Sequence, residues 1–321
     1  MRVLIIGSAN QWRMERGTER AFRRAGHTTK PIDDVRTKKL MGSKLTQRWA
    51  LAQARRFKPD FVFLSKCLAL NVDTVATIIE GKQNALWFLD AQWHKSTYRP
   101  DISHVIKIGK LTQTFFVSGF EREWAALGLR AKFLPSCADA NIRPVPVKKA
   151  FASDVAFIGG GNDPARANFL LKVAKKYDLK VWGRGWKEWR KPLNWTGRPV
   201  EGKDFAAVCS SAKIVLGMNP ARYTADSGNA TSDRTWMTIL AGGFFLGHGT
   251  TELKRMLREG DHCAWYNDID SCIAQCGYYL ENAAQRERVR REGHVFVRQH
   301  HTFDQRIQNI LSGEECRNPL A

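Results

Sequence analysis

The sequence lacks several features that define common protein classes. No apolar run approaches the roughly 18–20 residues that a membrane-spanning helix requires. The short run Val3 to Ile6 begins directly after Met1 and Arg2, and no cleavage-like segment follows it. We therefore expect a soluble, cytoplasmic protein that does not bind membranes.

Common cofactor and metal motifs are missing as well. The seven cysteines are scattered and none forms a CxxC pair, so neither a disulfide framework nor a structural zinc site is indicated. The eight histidines show no HExxH spacing. Neither GxGxxG nor GxxxxGK[ST] occurs, which argues against nicotinamide and P-loop chemistry.

Acidic residues are scarce relative to basic ones, and the formal net charge is +20. Residues 1–150 hold 27 Lys and Arg against 12 Asp and Glu, whereas residues 151–321 hold 24 against 19. A basic excess of this size favours a polyanionic partner such as nucleic acid, although it is also compatible with a solvated surface. The predicted nucleic-acid contacts are Arg13, Arg16, Arg20, Arg23, Arg24, Lys38, Lys39 and Lys44.

The chain has 321 residues, a length that suits two domains of roughly 100–200 residues each. Short apolar runs alternate with helical patterns, which predicts an α/β protein with parallel, doubly wound sheets. The predicted strands are Val3 to Ile6, Thr28 to Ile32, Phe61 to Leu64, Ala85 to Leu89, Thr114 to Val117, Lys132 to Leu134, Val155 to Ile158, Lys180 to Trp182, Ile214 to Leu216, Phe244 to Leu246 and Ala264 to Tyr266. The proline-rich segment Pro135 to Lys149 reads as a linker. We expect two Rossmann-like domains facing across a cleft, at 1–145 and 146–321, with the last helix able to cross back to the first domain.

The stretch from Arg234 to His248 is the most informative local pattern. A helix-period segment runs into paired glycines and then into a buried apolar strand. Ser232 or Asp233 is a candidate N-cap for that helix. A helix start of this kind suits the phosphates of a nucleotide, because its free N–H groups and positive dipole end attract anions.

Six pieces follow one another between about Asp154 and Leu311: DVAFIGG with Arg166 in the next helix, LKVWGRGW, WTGRPVEGKDFAAVCSSAKIVLGMN, SDRTW with LAGGFFL, EGDHCAWYND and REGHVFVRQHHTFDQRIQNIL. In their order and spacing, this part of the chain resembles the CgeB-like, spore-maturation type of glycosyltransferase. Within the first domain, only Phe88-Leu89-Asp90, FFVSGFEREW and LPSCAD share the resemblance.

The resemblance implies the GT-B fold and sugar transfer without an obligatory metal. It implies a nucleotide-sugar donor held by the C-terminal domain, with UDP-glucose as the first guess, and an acceptor held by the N-terminal domain. We expect a monomer or weak dimer. The predicted donor contacts are Gly159, Gly160, Arg166, Gly183, Arg184, Asn219, Ser232, Asp233, Arg234, Gly242 and Gly243.

One departure from the related glycosyltransferases concerns the donor ribose. They often carry a glutamate three residues after the arginine, where this chain has Met237, and another eight residues earlier, where it has Asn229. A thioether is a poor hydrogen-bond acceptor. The sequence therefore leaves open which donor nucleotide is used and which stereochemical course the transfer follows. It also leaves open that the protein keeps the fold but has lost catalysis.

Other assignments also have structural alternatives. Arg234 is expected at the diphosphate, or else in a surface ion pair. The expected general base is Asp90 or His94, at the end of a predicted strand; the alternatives are a turn-capping aspartate and an exposed histidine. Four tryptophans interleaved with basic residues either stack a base or pack in the core: Trp182, Trp186, Trp189 and Trp195.

The basic N-terminal half suggests the acceptor. A bacteriophage-type DNA glycosyltransferase, adding a sugar to hydroxymethylpyrimidine bases in double-stranded DNA, would need many phosphate contacts. It would act in the host cytoplasm on a base flipped out of the duplex. The alternatives are transfer to a protein, spore-coat or envelope glycan, and a catalytically silent nucleic-acid-binding protein.

Overall fold

A computed structural model describes residues 1–8, 14–90, 102–218 and 232–320. The chain divides into two compact units, one comprising Met1–Ala140 with Phe303–Arg317 and the other Asn141–Thr302 with Asn318–Ala321. Each unit is built on one parallel β-sheet. Within the described ranges, no helix combines the length and the apolar character needed to cross a bilayer.

The first unit contains a six-stranded parallel sheet with the order β2-β1-β3-β4-β5-β6. Helices flank this sheet, and the central strands are buried throughout, which is why they appear in the sequence as continuous apolar runs. Its strands are β1 (Arg2–Ile6), β2 (Thr28–Ile32), β3 (Phe61–Ser65), β4 (Gln83–Phe88), β5 (Thr114–Val117) and β6 (Ala131–Phe133). Its helices are α1 (Met14–Arg24), α2 (Asp34–Phe57), α3 (Val72–Ile79), α4 (Ile102–Leu111), α5 (Glu121–Ala126) and, from the far end of the chain, α12 (Phe303–Ser312).

Helix α12 completes the core of the first unit. The Phe303 ring lies where a Cβ on Gly17 of α1 would stand, only 2.2 Å from that position. Phe303 also meets Trp87 of β4 edge to face, with ring centroids 6.4 Å apart. Arg306 is buried and its Nε donates to the Pro135 carbonyl at 3.0 Å.

The second unit contains a five-stranded parallel sheet with the order β11-β10-β9-β7-β8. Cys272 and Cys276 are buried on one helix of its core. Its strands are β7 (Ser153–Ile158), β8 (Leu179–Trp182), β9 (Ala212–Gly217), β10 (Phe245–His248) and β11 (Ala264–Tyr266). Its helices are α6 (Pro164–Ala174), α7 (Gly202–Ser211), α8 (Asp233–Leu240), α9 (Thr251–Met256), α10 (Ile269–Glu281) and α11 (Ala283–His300).

These two parallel sheets confirm the predicted fold class, and each of the eleven predicted strand segments overlaps an observed strand. The linker segment also takes a mostly irregular path. Only a short 3₁₀ turn at Lys149–Phe151 interrupts it before β7 begins. Helices therefore connect most of the successive parallel strands, as the alternation of apolar runs and helical patterns predicts.

A buried carboxylate in the first unit makes a pH-dependent contribution to stability. Asp34 is 1% exposed and accepts a 2.9 Å hydrogen bond from the Ala69 amide. Burial raises the pKa of this carboxyl to about 6 from an ordinary value of 3.8. The folded state therefore holds the proton more tightly than the unfolded chain, so stability falls as the pH rises from about 4 to about 6.

We expect the Asp34→Asn variant to lose this pH dependence. Relative to the parent chain, its free energy of unfolding should rise by about 3 kcal/mol between pH 4 and pH 7, since each pKa unit corresponds to about 1.4 kcal/mol. Urea unfolding at several pH values measures the difference. A gap between the two proteins that stays constant across this range contradicts the expectation.

Candidate functional site

The carboxyl edge of the second sheet contains a reversal of strand order, a position at which parallel sheets commonly bind ligands. The chain leaves β7 toward β8 on one side, whereas β9, β10 and β11 extend the sheet on the other side. Open parallel sheets bind ligands beside the carboxyl ends of strands where the order reverses, here at β7 and β9. Gly159 follows β7 at this edge, and Met218 follows β9.

Two arginines converge at this point of the sheet. Arg166 is buried on α6 and donates to the Gly160 carbonyl at 2.7 Å and to the Met218 carbonyl at 3.4 Å. Arg234, in the first turn of α8, donates to the same Met218 carbonyl at 3.4 Å. Both guanidinium carbons lie over the Phe157 ring, at 5.6 and 5.3 Å from its centroid. Two positive charges are thus held close together.

The surroundings of Arg234 favour an anionic ligand. Within the described ranges, no carboxylate lies at ion-pair distance from its guanidinium, so the alternative of a surface ion pair is not observed there. Burial lowers the pKa of Arg234, and the neighbouring Asp233 partly offsets this. Arginine nevertheless stays charged in proteins. A bound anion would relieve the repulsion between the two guanidinium groups.

The start of α8 adds further donors on the same side. Ser232 is the N-cap residue, yet its hydroxyl makes no capping hydrogen bond. The Asp233 carboxylate accepts from the Arg234 amide at 2.9 Å and is exposed. The remaining amide groups of this first turn and the dipole of the helix favour negative charge. Asn219 and the rest of 219–231 lie outside the described residues.

Tight glycine loops bring backbone close to the arginines. A Cβ on Gly159 would stand 3.3 Å from Nη1 of Arg234. Gly183, with φ of +143°, lies so close that a Cβ there would be 1.9 Å from the Gly159 carbonyl oxygen. Gly160 has open space beside it, and Arg184 is exposed while its carbonyl accepts from Gly161 at 2.9 Å.

The tryptophans of this region hold the glycine loops instead of stacking a base. Trp186 is fully buried, and its indole N–H donates to the Gly159 carbonyl at 2.7 Å. Trp195 is half-buried and donates in the same way to the Gly183 carbonyl at 2.9 Å. Trp182 is 2% exposed, and Trp189 packs on the apolar core. The stacking interpretation was wrong for Trp182 and Trp186, because no face of a buried indole is open to a ligand.

Gly242 and Gly243 lie away from the arginines. Both follow the carboxyl end of α8, whereas Arg234 is in its first turn. Gly242 takes φ of +74° there, and its amide bonds to the Ile239 carbonyl, so it ends the helix. Met237, where related enzymes often have a glutamate, packs on an apolar cluster beside β7 and α7.

Two further side chains at this edge were not among the predicted site residues. His248 ends β10 and Tyr266 ends β11, and their rings lie 4.4 Å apart between centroids. The Tyr266 hydroxyl donates to the Gly217 carbonyl at 2.8 Å. A pocket is lined by Gly217, Met218, Ser232, Arg234, Thr235, Phe245, His248 and Leu253. His248 and Tyr266 each lie at the carboxyl end of a strand, and this position is the signal that could have identified them in the sequence.

In the first unit, Asp90 lies just beyond β4 and forms an ion pair with Lys66, which follows the neighbouring strand β3. The Lys66 Nζ and the Asp90 Oδ2 are 2.6 Å apart, and both side chains are about a quarter exposed. Lys66 and Cys67 both have left-handed backbone, with φ of 59° and 52°. Non-glycine residues in this conformation concentrate at functional sites. His94 lies outside the described residues.

Glu15 is a second carboxylate at this edge that was not singled out in the sequence. It is 6% exposed in the first turn of α1, and its Oε1 accepts from the Ser65 hydroxyl at 2.9 Å. A Cβ on Gly7 would stand 2.9 Å from the Ser65 carbonyl oxygen and 3.0 Å from Cγ of Glu15. The strand order reverses between β1 and β3, and the carboxyl ends of these two strands are tightly packed around the Glu15 carboxylate.

The predicted nucleic-acid contacts fall into two groups. The arginines of α1 are engaged with acidic residues of their own unit: Arg16 and Arg23 with Glu19, Arg20 with Asp139, and Arg24 with Asp304. The lysines of α2 differ, because they are exposed and no ion pair involves them within the described ranges: Lys38, Lys39 and Lys44. Arg13 lies outside the described residues.

No cluster of three His, Cys, Asp or Glu side chains suited to a metal ion occurs in the described ranges. The two side chains that converge on the Met218 carbonyl, Arg166 and Arg234, are both cations.

Several solved structures share the fold of this chain over nearly its whole length. The Anabaena protein HepE, crystallised with UDP and glucose, is 9% identical with a TM-score of 0.65, covering 97% of this chain and 99% of that chain. Sucrose-phosphate synthase from Thermosynechococcus elongatus is 10% identical with a TM-score of 0.70, covering 97% and 98%. A glycosyltransferase from Rickettsia africae is 8% identical with a TM-score of 0.62, covering 97% of each chain. At these identities the likeness concerns the fold, which is GT-B.

A search of curated protein sequences returns no match. A family profile described as glycosyl transferase-like matches residues 166–312, which include most of α6, all of α8 and both converging arginines. Residues 166–312 are therefore similar to the glycosyl transferase-like family, in a chain that has the fold of the GT-B glycosyltransferases.

Proposed function

We propose that the second unit binds the diphosphate of a nucleotide-sugar through Arg166 and Arg234. The observation that carries this proposal is the convergence of the two guanidinium groups on the Met218 carbonyl, beside the start of α8. The structural relative HepE has been crystallised with UDP and with UDP-glucose, which makes a UDP-sugar the first donor to test. Gly159 and Gly160 would let the backbone approach the ligand closely.

The two arginines would act differently during transfer. The glycosidic bond to the diphosphate breaks, and the leaving group gains negative charge as it does so. Arg234 is partly accessible and would stabilise that charge directly. Arg166 is buried and already donates to two carbonyl groups, so it would hold the loop after β7 and add positive potential.

The first unit would bind the acceptor, with Asp90 as the general base. Asp90 stands at the carboxyl edge of its sheet and keeps an accessible fraction of its carboxylate. It would accept the proton of the acceptor hydroxyl as the sugar is transferred. Lys66 fixes the carboxylate by its ion pair, which makes Lys66 a positioning residue.

For the acceptor we propose a hydroxymethylpyrimidine base in DNA. The exposed lysines of α2, which we call the α2 lysines (Lys38, Lys39 and Lys44), are free to meet phosphates, and residues 1–150 carry a net charge of +15. Phosphate contacts of this kind hold a duplex without reading its sequence. The base would leave the stack to reach the carboxylate, as bases do in other enzymes that modify them.

Sugar transfer to modified DNA tests this proposal. The protein is incubated with DNA containing hydroxymethylpyrimidines and with UDP-glucose or another donor. The DNA is then digested and the masses of its nucleosides are measured by mass spectrometry. A hexose or pentose mass increment on the modified nucleoside supports the proposal. DNA binding that is sensitive to salt, without turnover from any donor, would instead indicate the silent binding protein.

Neutralising the α2 lysines should weaken DNA binding while leaving donor binding intact. In Lys38→Gln/Lys39→Gln/Lys44→Gln we expect the dependence of log K on log salt to become shallower by about 0.9 for each phosphate that a lysine no longer neutralises. Titration of labelled duplex at several salt concentrations measures this slope. The matched control neutralises three lysines of the second unit, Lys172, Lys175 and Lys176. Equal effects of the two triple variants would contradict a DNA surface on α2.

A glycan or lipid-linked acceptor at an envelope is the second candidate, and one observation favours it. Leu40, Met41 and Leu45 are 73%, 41% and 52% exposed on α2, beside the same lysines. Apolar side chains set among lysines suit an anionic lipid surface as well as a polyanion. Transfer to such a glycan, with no affinity for DNA, would decide for this candidate.

A further inference from the structure

The histidine at the end of β10 stands in the donor pocket without an assigned role. His248 pairs in register with Tyr266 of β11, and the Tyr266 ring packs against it at 4.4 Å. Glycines flank it on both sides. A Cβ on Gly247 would stand 2.6 Å from the Phe245 ring, and one on Gly249 would stand 2.5 Å from Cε of Lys254. The backbone on both sides of His248 is therefore closely packed, and the Tyr266 ring supports the imidazole.

One ring nitrogen of His248 has no hydrogen-bond partner in the described part of the chain. This nitrogen is Nδ1, and it is buried. A buried ring nitrogen without a partner costs free energy, so such atoms commonly mark a ligand or water site. The same pocket is lined by Ser232, Arg234 and Thr235, which places His248 among the proposed diphosphate contacts.

The protonation state of His248 indicates what kind of group it would meet. Burial lowers the pKa of the imidazole, so the ring is neutral at neutral pH and carries one donor and one acceptor nitrogen. A phosphate is better served by the cationic Arg234 in the same pocket. A neutral imidazole matches a hydroxyl group, which can likewise both donate and accept a hydrogen bond.

We propose that His248 hydrogen-bonds a hydroxyl of the bound nucleotide-sugar and is a specificity-determining residue of the donor pocket. This inference rests on the proposed donor binding by the second unit. The hydroxyl belongs either to the sugar or to the ribose, and both sources share the same chemistry. The Tyr266 hydroxyl donates to the Gly217 carbonyl, so the tyrosine supports the ring and leaves the ligand to His248.

Calorimetric titration of the full chain with UDP and with UDP-glucose tests the inference. For His248→Ala we expect UDP-glucose to bind about tenfold more weakly, as for a missing hydrogen bond that leaves its partner unpaired. A sugar hydroxyl predicts that UDP alone binds within about twofold of the parent, whereas a ribose hydroxyl predicts that both ligands weaken together. His248→Asn, which keeps one donor and one acceptor, should recover most of the affinity.

The controls separate this inference from the proposed function. His300→Ala alters an exposed histidine of the same unit and should leave both affinities unchanged. Melting temperatures of all variants show whether they fold, and His248→Phe, which keeps a ring but no polar ring atom, stands in if His248→Ala does not. Parent binding of UDP-glucose with no change beyond about twofold in His248→Ala or its stand-in overturns the role of His248 alone. Failure of the parent chain to bind either ligand overturns the donor site itself and this inference with it.

Discussion

Arg234→Ala is expected to lower kcat/KM for the nucleotide-sugar by about 10²–10³-fold, the usual effect of removing one preorganised donor from developing negative charge. Arg234 is the accessible member of the arginine pair and has no ion-pair partner within the described ranges. Replacing Arg234 by alanine therefore removes positive charge beside the ligand. No ion pair within the described ranges is lost at the same time. The rate of sugar transfer or of donor hydrolysis, monitored through the release of UDP, measures the effect.

Two further substitutions make the Arg234 result specific. Arg234→Lys should fall between the parent and the alanine variant, because lysine keeps the charge but lacks the planar fork that matches phosphate oxygens. Arg198→Ala removes an arginine of the same unit that forms an exposed ion pair with Asp204 at 2.7 Å, and it should change activity little. Equal losses of activity in Arg198→Ala and Arg234→Ala would contradict a diphosphate contact at Arg234.

Asp90→Asn is expected to lower turnover by about 10²–10⁴-fold while leaving UDP binding within about twofold of the parent. The amide keeps the size of the carboxylate and can still accept from Lys66, but it cannot take a proton from the acceptor. Single-turnover transfer and separate UDP titrations distinguish the chemical step from donor binding. This separation is what assigns Asp90 to the acceptor and Arg234 to the donor.

A matched acid on the same unit serves as the control for Asp90. Glu80→Gln changes an exposed carboxylate at the carboxyl end of α3, just before β4 begins, and should leave turnover unaffected. Unchanged turnover in Asp90→Asn would place the base elsewhere, with His94 or the buried Glu15 as the next residues to replace. Loss of UDP binding in Asp90→Asn would contradict the assignment of donor and acceptor to different units.

The strands and the fold class are readable from the sequence because parallel strands covered on both faces are continuous apolar runs. Phe61–Ser65 and Ser153–Ile158 are examples, with nearly every residue buried. The glycines that follow β7 and β8 are also recognisable, since close backbone approach permits no Cβ there. Local pattern was therefore enough to find the edge of the sheet that holds the arginines.

Other features depend on contacts that sequence spacing does not show. Helix α2 begins at Asp34, because Asp33 caps it and the chain continues through a non-helical Gly42. The arginines of α1 appear in the sequence as a basic stripe, yet Asp139 and Asp304 reach them from distant parts of the chain. The tryptophans likewise find their carbonyl partners only once the glycine loops are folded.

The position of Met237 changes the expected donor preference. Related enzymes often place a carboxylate there for the donor ribose, but in this chain the side chain packs on an apolar cluster that includes Ala156 and Val208. Recognition of donor hydroxyl groups would then fall to other residues of the pocket. His248 is the polar side chain that we propose for this role, in a chain without the usual glutamate pair.

The central claim is that Arg234 of the second unit holds the donor diphosphate and that the α2 lysines of the first unit do not. Calorimetric titration with UDP tests this most directly, using the parent chain, Arg234→Ala and the triple α2 lysine variant side by side. The account predicts one UDP per chain in the parent, affinity at least about tenfold weaker in Arg234→Ala, and parent-like affinity in the lysine variant. Parent-like binding in Arg234→Ala together with loss of binding in the lysine variant would contradict it.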